Sequence, residues 1–325
     1  MLAYILRRIF YSIIVLFAAT ILVFLLVAES GNPLGLLLAN PKIPHKVIVQ
    51  REQLLHLNDP LWQRYWIWFS HAIHGDFGQT IAGLPVAPQI ESHFYVTLRM
   101  VVIATVLAVI LAIGFGVYSA LRKGRFGDHA VTTTNFVFLA VPTFIIGLVL
   151  KEFVAIPINQ HAGRTIFYTI GEQSPGLTGS FWSRLPNYAG HTVLPVITLM
   201  LVSYGSWAIY QRASTLEVLD SDYVRLARAK GLHPRRVLTH HIVRNALISF
   251  TTVVALDFAA VLGGAIVTET IFGWQGMGVE FFNGVVTRDI NVVLAYLLIT
   301  TVCVIAFNLV ADILYAFLDP RIRYG

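Results

Sequence analysis

Six apolar stretches, each long enough to cross a bilayer, leave this chain little choice of fold. They run over roughly 9–27, 98–121, 130–150, 193–209, 248–268 and 292–317. About 20 apolar residues cross the hydrocarbon core as a helix, the single-segment structure that satisfies its own backbone there. Pro195 and Gly205 interrupt the fourth stretch. The first is long for a signal-peptide core and no small-x-small cleavage site follows it, so it reads as a retained helix. Composition agrees: 56% hydrophobic and 12% charged, against about 25% charged in a soluble domain. Cys303 is the only cysteine and lies in an apolar run, which excludes an internal disulfide.

The net charge of +6 would suit a nucleic-acid ligand, but the placement of the basic residues points elsewhere. With the N-terminus inside, the inner segments are 1–8, 122–129, 210–247 and 318–325. More than half of the 23 lysines and arginines fall in them, although the outer segments are about twice as long. This is the positive-inside pattern. It predicts a multi-pass membrane protein with both termini cytosolic, no nucleic-acid partner, and lipid around the bundle.

Two outer segments are too long to be connectors. In 28–97, a turn-rich opening precedes an expected helix near 61–74, crowded by Trp62, Tyr65, Trp66, Trp68 and Phe69 and ended by Gly75-Asp76-Phe77-Gly78. Aromatic residues at that density suit a membrane interface or a docking surface. Trp62, Trp66, Trp68 and Asp76 are the candidate docking residues. The second segment, 151–192, is rich in Gly and Pro and reads either as a solvated cover or as a platform for an outer partner.

The inner segment 213–247 carries DYVRLARAKG at 222–231, followed by LHPRRVLTHHIVRNAL. Asp222 is placed to cap a helix that Gly231 ends, and Pro234 to open the next. Val224, Ala227 and Gly231 share one face, with Arg225, Arg228 and Lys230 around the rest. A short basic helix with a small-residue face suits the groove of another protein. Tyr223 and His233 complete the candidate set.

No lysine follows a glycine, so the usual phosphate-binding P-loop is missing. No histidine pair comes with further metal ligands, and no catalytic constellation is evident. The informative polar residues lie within apolar runs: Asp257 in the middle of the fifth, Glu269 toward its outer end, and Asn308 with Asp312 in the sixth. Such groups face a wetted cavity or pair within the bundle. Asp257 and Glu269 are the candidate path residues; Asn308 and Asp312 read as structural.

The motifs LRRIF, NDPLWQRYWIW, GDFGQTIAGLPV, the 222–247 element, LGGAIVTETIFGWQGMG, TRDIN and NLVADILYAFLDPRIR together resemble the membrane permease B subunit of bacterial ABC importers for dipeptides and oligopeptides. The likeness runs nearly end to end. Arg225-Leu226-Ala227 with Gly231 resembles the Glu-Ala-Ala…Gly loop by which such permeases engage their ATPase. The Glu and one Ala are absent, the later Leu-Pro is replaced around 243–245, and Gln275 stands where Pro usually precedes Gly. The resemblance implies an all-α membrane protein: a six-helix type I ABC importer transmembrane domain with a large extracytoplasmic insertion between helices 1 and 2. Its expected divisions are 1–97, a core over 98–318 and a cytosolic tail over 319–325. It implies a bacterial inner-membrane permease paired with a second, homologous permease, two cytosolic ATPases and an extracytoplasmic peptide-binding protein. The chain itself would bind no cofactor and catalyse nothing, the ATPases using ATP and Mg. An ion-coupled secondary transporter working through Asp257, and a membrane scaffold or receptor, are the alternatives the residues leave open.

Overall fold

A computed structural model describes residues 2–39 and 41–318; the expected tail over 319–325 lies outside them. In chain order the helices are α1 (Leu2–Glu29), α2 (Gly35–Leu38), α3 (His45–Leu54), α4 (Leu61–Ala72), α5 (Val86–Leu121), α6 (Phe126–Ala140) and α7 (Thr143–Val149). A π-helical stretch (Leu150–Ala155) joins α7 to α8 (Ile156–Ala162), and α9 (Phe181–Leu219) and α10 (Asp222–Ala229) follow. Then come α11 (Pro234–Arg236), a second π-helical stretch (Val237–Val243), α12 (Arg244–Phe272), α13 (Met277–Thr287) and α14 (Ile290–Leu318). Among the described residues the one β feature is an isolated bridge between Gln79 and Pro85. Six helical segments there are long and apolar enough to cross a membrane.

Two of the six differ from the sequence expectation, both at proline. The third apolar stretch, expected as one helix over 130–150, breaks at Val141, which is extended at ψ 122° before Pro142. Proline disfavours the helical region for the residue preceding it and offers no N–H. The spanning candidate is therefore Thr143–Ala162. It takes the first residues of the expected outer loop 151–192 into helix, and α9 takes the last. The fourth stretch, expected to be interrupted, is instead a continuous helix of 39 residues through Pro186 and Pro195. Packed helices tolerate such prolines because neighbouring groups re-satisfy the freed backbone. Gly205 is a packing residue: a Cβ there would stand 2.9 Å from the Asn135 carbonyl oxygen, so α6 and α9 touch backbone to backbone.

The chain divides into two compact units: residues up to Thr97 with Gln275–Ile305, and Leu98–Trp274 with the chain from Ala306. Gln275–Ile305, which the sequence reading assigns to the core over 98–318, groups with the N-terminal part. In the first unit α4 packs on α1. The Tyr65 hydroxyl and Thr20 Oγ1 lie 2.9 Å apart, and Phe17 and Phe24 meet the Tyr65 ring at 5.9 and 5.5 Å. Buried Asp289 accepts from the Ile81 N–H at 2.7 Å, Asn291 donates to the Gln79 carbonyl at 2.7 Å, and the Met277 N–H donates to Thr97 at 2.8 Å. These bonds explain why the late segment joins the early one. Burial pushes the Asp289 carboxyl upward, with the Ile81 and Val292 N–H groups opposing.

The second unit is built on α9, which packs against both α6 and α12. Trp207, Leu194 and Leu199 of α9 are almost fully buried. Phe258 of α12 stacks on Phe307 of α14 at 3.8 Å between ring centroids.

Candidate functional site

The basic element at 222–231 forms the expected short helix, with a different start. Ser221, not Asp222, holds the extended position before α10. Its hydroxyl donates to the Val218 carbonyl at 2.6 Å rather than capping. Asp222 is the first helical residue, where a negative charge suits the helix N-terminus, and it pairs with Arg225 at 2.9 Å. Both side chains are largely in solvent, so the pair adds little. The other end is closed by a Schellman motif. Gly231 sits at φ +72°, its N–H reaching the Arg228 carbonyl at 2.9 Å and that of Leu232 the Ala227 carbonyl at 3.3 Å. His233 Nδ1 accepts from the Arg235 N–H at 3.3 Å and Pro234 takes the first helical position of α11.

The small-residue face corrects the sequence reading. Val224 is 0% and Ala227 5% exposed, in a cluster with Val237 and Ile242. Val218, Leu219, Leu232 and Leu238 pack around it. Val224 and Ala227 are therefore consumed by the chain's own hairpin and are not free to enter a partner's groove, while Gly231, the third member of the face, stays exposed. The periodicity of Val224 and Ala227 marks a buried stripe equally well whether its cover is foreign or local. What remains outward is Tyr223, Leu226, Arg225, Arg228 and Lys230, an apolar pair ringed by cations. Ser214 ties α9 to α12 beside the hairpin by donating to the Ala246 carbonyl at 3.0 Å.

An ion pair that the sequence reading missed lies nearby in the chain. The buried Asp128 carboxylate receives Arg212 Nε at 2.7 Å and Nη2 at 2.8 Å. It also accepts from the Ser119 hydroxyl and from the Gly124 N–H. The Arg212 hydrogen bond holds its carboxyl far below the usual carboxylate range, against the opposing effect of burial. The available signal was a single acid in the short basic loop 122–129 and a lone arginine at the end of the fourth apolar run.

The two path candidates are not brought together: twelve residues apart on α12, they are separated by about 18 Å of helix. Asp257 is half-buried and accepts from Trp207 Nε1 at 3.0 Å. Glu269 is completely buried. The docking candidates separate as well. Trp62 and Trp66 are 69% and 51% exposed, but Trp68 is 6% exposed and belongs to the interior. It lies on the opposite side of α4, so it is no part of an outer contact surface. Asp76 Oδ1 accepts from the Gly78 N–H at 2.9 Å and shapes the turn after α4.

The chain resembles known proteins along its whole length. The family described as binding-protein-dependent transport system inner membrane component matches residues 112–324. Oligopeptide transport system permease protein OppB of Mycobacterium tuberculosis is 37% identical over 323 residues, covering 98% of each chain. Oligopeptide transport system permease protein AppB of Bacillus subtilis is 37% identical over 330 residues, covering 100% of each. Among solved structures, the inward-facing MetNI methionine ABC transporter covers 71% of this chain and 96% of its own with a TM-score of 0.52 at 14% identity; this likeness concerns the fold. The chain belongs to the family of binding-protein-dependent transport system inner membrane components, and is a multi-pass membrane permease of the ABC importer type.

Proposed function

We propose that this permease forms one half of the translocation pathway of an ATP-driven peptide importer. The observation that carries the reading is full-length similarity to two oligopeptide permeases; neither ion-coupled transport nor a scaffold role has comparable support. In this reading a second, homologous permease completes the pathway. Two cytosolic ATPases use ATP and Mg, and an extracytoplasmic protein delivers the peptide. The chain contributes a path and a lever, and no catalysis.

The hairpin over 222–243 is the coupling element. Its own small core makes it stiff, and its outer face offers Tyr223 and Leu226 to a groove, with Arg225, Arg228 and Lys230 for acidic groups at the rim. Both termini and this hairpin face the cytosol, in keeping with the distribution of lysine and arginine. The segment before α5 faces outward, where Trp62 and Trp66 meet the delivering protein. Asp257 borders the path and shares its charge with the Trp207 indole.

Proteoliposomes holding this chain with its co-expressed permease and ATPases test the proposal. ATP-dependent uptake of a labelled oligopeptide, strictly requiring the delivering protein, is the expected result. Uptake driven by a proton or sodium gradient without ATP would overturn it.

A further inference from the structure

The first unit holds a cavity of about 320 Å³, within the range of small-ligand sites. Its polar lining includes Arg64 and Trp68 of α4, with Asp76 just beyond that helix. Arg64 and Trp68 are four residues apart and share a helix face. Both also border an adjoining recess of about 40 Å³.

Most of the polar groups around this cavity are already engaged. Arg51 donates to Gln79 Oε1 at 3.3 Å and to the Ala82 carbonyl at 3.2 Å. His71 Nδ1 meets the Ile67 carbonyl at 2.9 Å, and His56 pairs with Asp59 at 2.9 Å. Two donors are not engaged. Arg64 Nε and Trp68 Nε1 are enclosed without a hydrogen-bond partner. The Arg64 guanidinium lies over the Phe24 ring at 5.8 Å, a contact that leaves its N–H groups unused. Burial disfavours the Arg64 charge, and Asp59 only partly opposes this. Enclosed donors without acceptors are rare in folded proteins and call for an occupant. Asp76 spends one carboxylate oxygen on the Gly78 N–H and keeps the other. Leu54, Ile67 and Pro85 supply apolar wall.

We propose that this cavity binds a small zwitterion, an amino acid or short peptide, whose carboxylate takes the free donors of Arg64 and Trp68 and whose ammonium group is held by Asp76. A cation–donor pair alone would accept any anion. The acid on the same lining disfavours an isolated anion and favours a ligand that carries both charges, with the apolar wall covering its carbon skeleton.

The test uses the full chain in lipid nanodiscs with 15N-labelled tryptophan. Trp68→Phe identifies the Trp68 indole signal. Titration with L-alanyl-L-alanine is expected to move that signal downfield and saturably. L-alanyl-L-alaninamide, which lacks the carboxylate, and acetate, which lacks the ammonium, should each bind at least about tenfold more weakly. Arg64→Gln should remove the response while the other indole signals keep their positions. Asp76→Asn should weaken the dipeptide and not acetate. No saturable shift with the dipeptide overturns the proposal, and so does an equal response to acetate or to the amide. The analogue comparison needs no variant, so misfolding of a mutant does not decide it. No ATPase or delivering protein enters the assay, so failure here leaves the transport reading intact.

Discussion

Arg212 on α9 grips Asp128, at the start of α6, through two side-by-side hydrogen bonds of 2.7 and 2.8 Å. Ser119 near the end of α5 and the Gly124 N–H close on the same carboxylate. Three helices are thus fastened by one acid, just before α9 runs into the hairpin.

Breaking that fastening leaves a charge without its partner. Asp128→Asn should cost about 3 kcal/mol, the low end for a broken buried pair, because Arg212 keeps some access to solvent. The folded-state pKa of Asp128 lies below its unfolded value. The stabilisation is therefore fully present above the unfolded pKa and lost as pH falls toward the folded one. Thermal unfolding in detergent should show a constant gap between wild type and variant from about pH 8 to 5, narrowing below about pH 4. An unchanged melting temperature at neutral pH would refute the assignment.

The two faces of α10 should respond differently. Val224→Ala removes buried apolar surface from the hairpin and should lower stability by about 1–2 kcal/mol. Leu226→Ala and Arg228→Glu sit outward and should leave stability within about 0.5 kcal/mol. Both should weaken ATPase capture, and the effect of Arg228→Glu should depend on salt. Pull-down across a salt series beside a melting curve separates the faces. Wild-type capture by both outward variants would remove the hairpin from the coupling role.

Gly231→Pro should be worse than Gly231→Ala. Proline deletes the N–H that closes the helix on Arg228 and cannot adopt φ +72°. Alanine meets nothing within 4 Å and pays only the left-handed backbone, about 1 kcal/mol. Substrate-stimulated ATP hydrolysis should be lost in the first variant and reduced in the second.

Trp68→Ala should destabilise the chain by about 3–5 kcal/mol. Trp62→Ala with Trp66→Ala should lower the melting temperature less, Trp66 losing its ring contacts with Phe17 and Phe69, and should reduce affinity for the delivering protein, measured by surface capture. The reverse pattern would mean that α4 presents its other side.

Orientation is open to labelling. In a Cys303→Ala background, Thr178→Cys should react with a membrane-impermeant maleimide from outside and Arg235→Cys only after permeabilisation. Exchange of the two results would invert the topology.

Much of the architecture was legible because apolar length alone selects a spanning helix. Gly231 and Pro234 marked the hairpin for equally local reasons: a left-handed backbone and a missing donor. What escaped was set by neighbours. Pro195 is tolerated and Pro142 breaks its helix, a difference that depends on surrounding packing rather than on residue type. Val224 and Ala227 advertised a covered stripe without naming its cover. Trp68 could not be told from Trp62 or Trp66 until the fold showed which of the three it buries. Asp128 and Arg212 are 84 residues apart in the chain, beyond the reach of any local pattern.

The segment 222–230 keeps two separate accounts of selection. Val224 and Ala227, with Val237 and Ile242, answer to folding; in the proposed coupling role Tyr223, Arg225, Leu226, Arg228 and Lys230 answer to the ATPase. Either set can drift while the other stays still. Transplanting the five outward side chains between paralogous permeases should therefore re-address the motor without redesigning the hinge, and partner choice becomes a surface trait that a lineage can revise one substitution at a time.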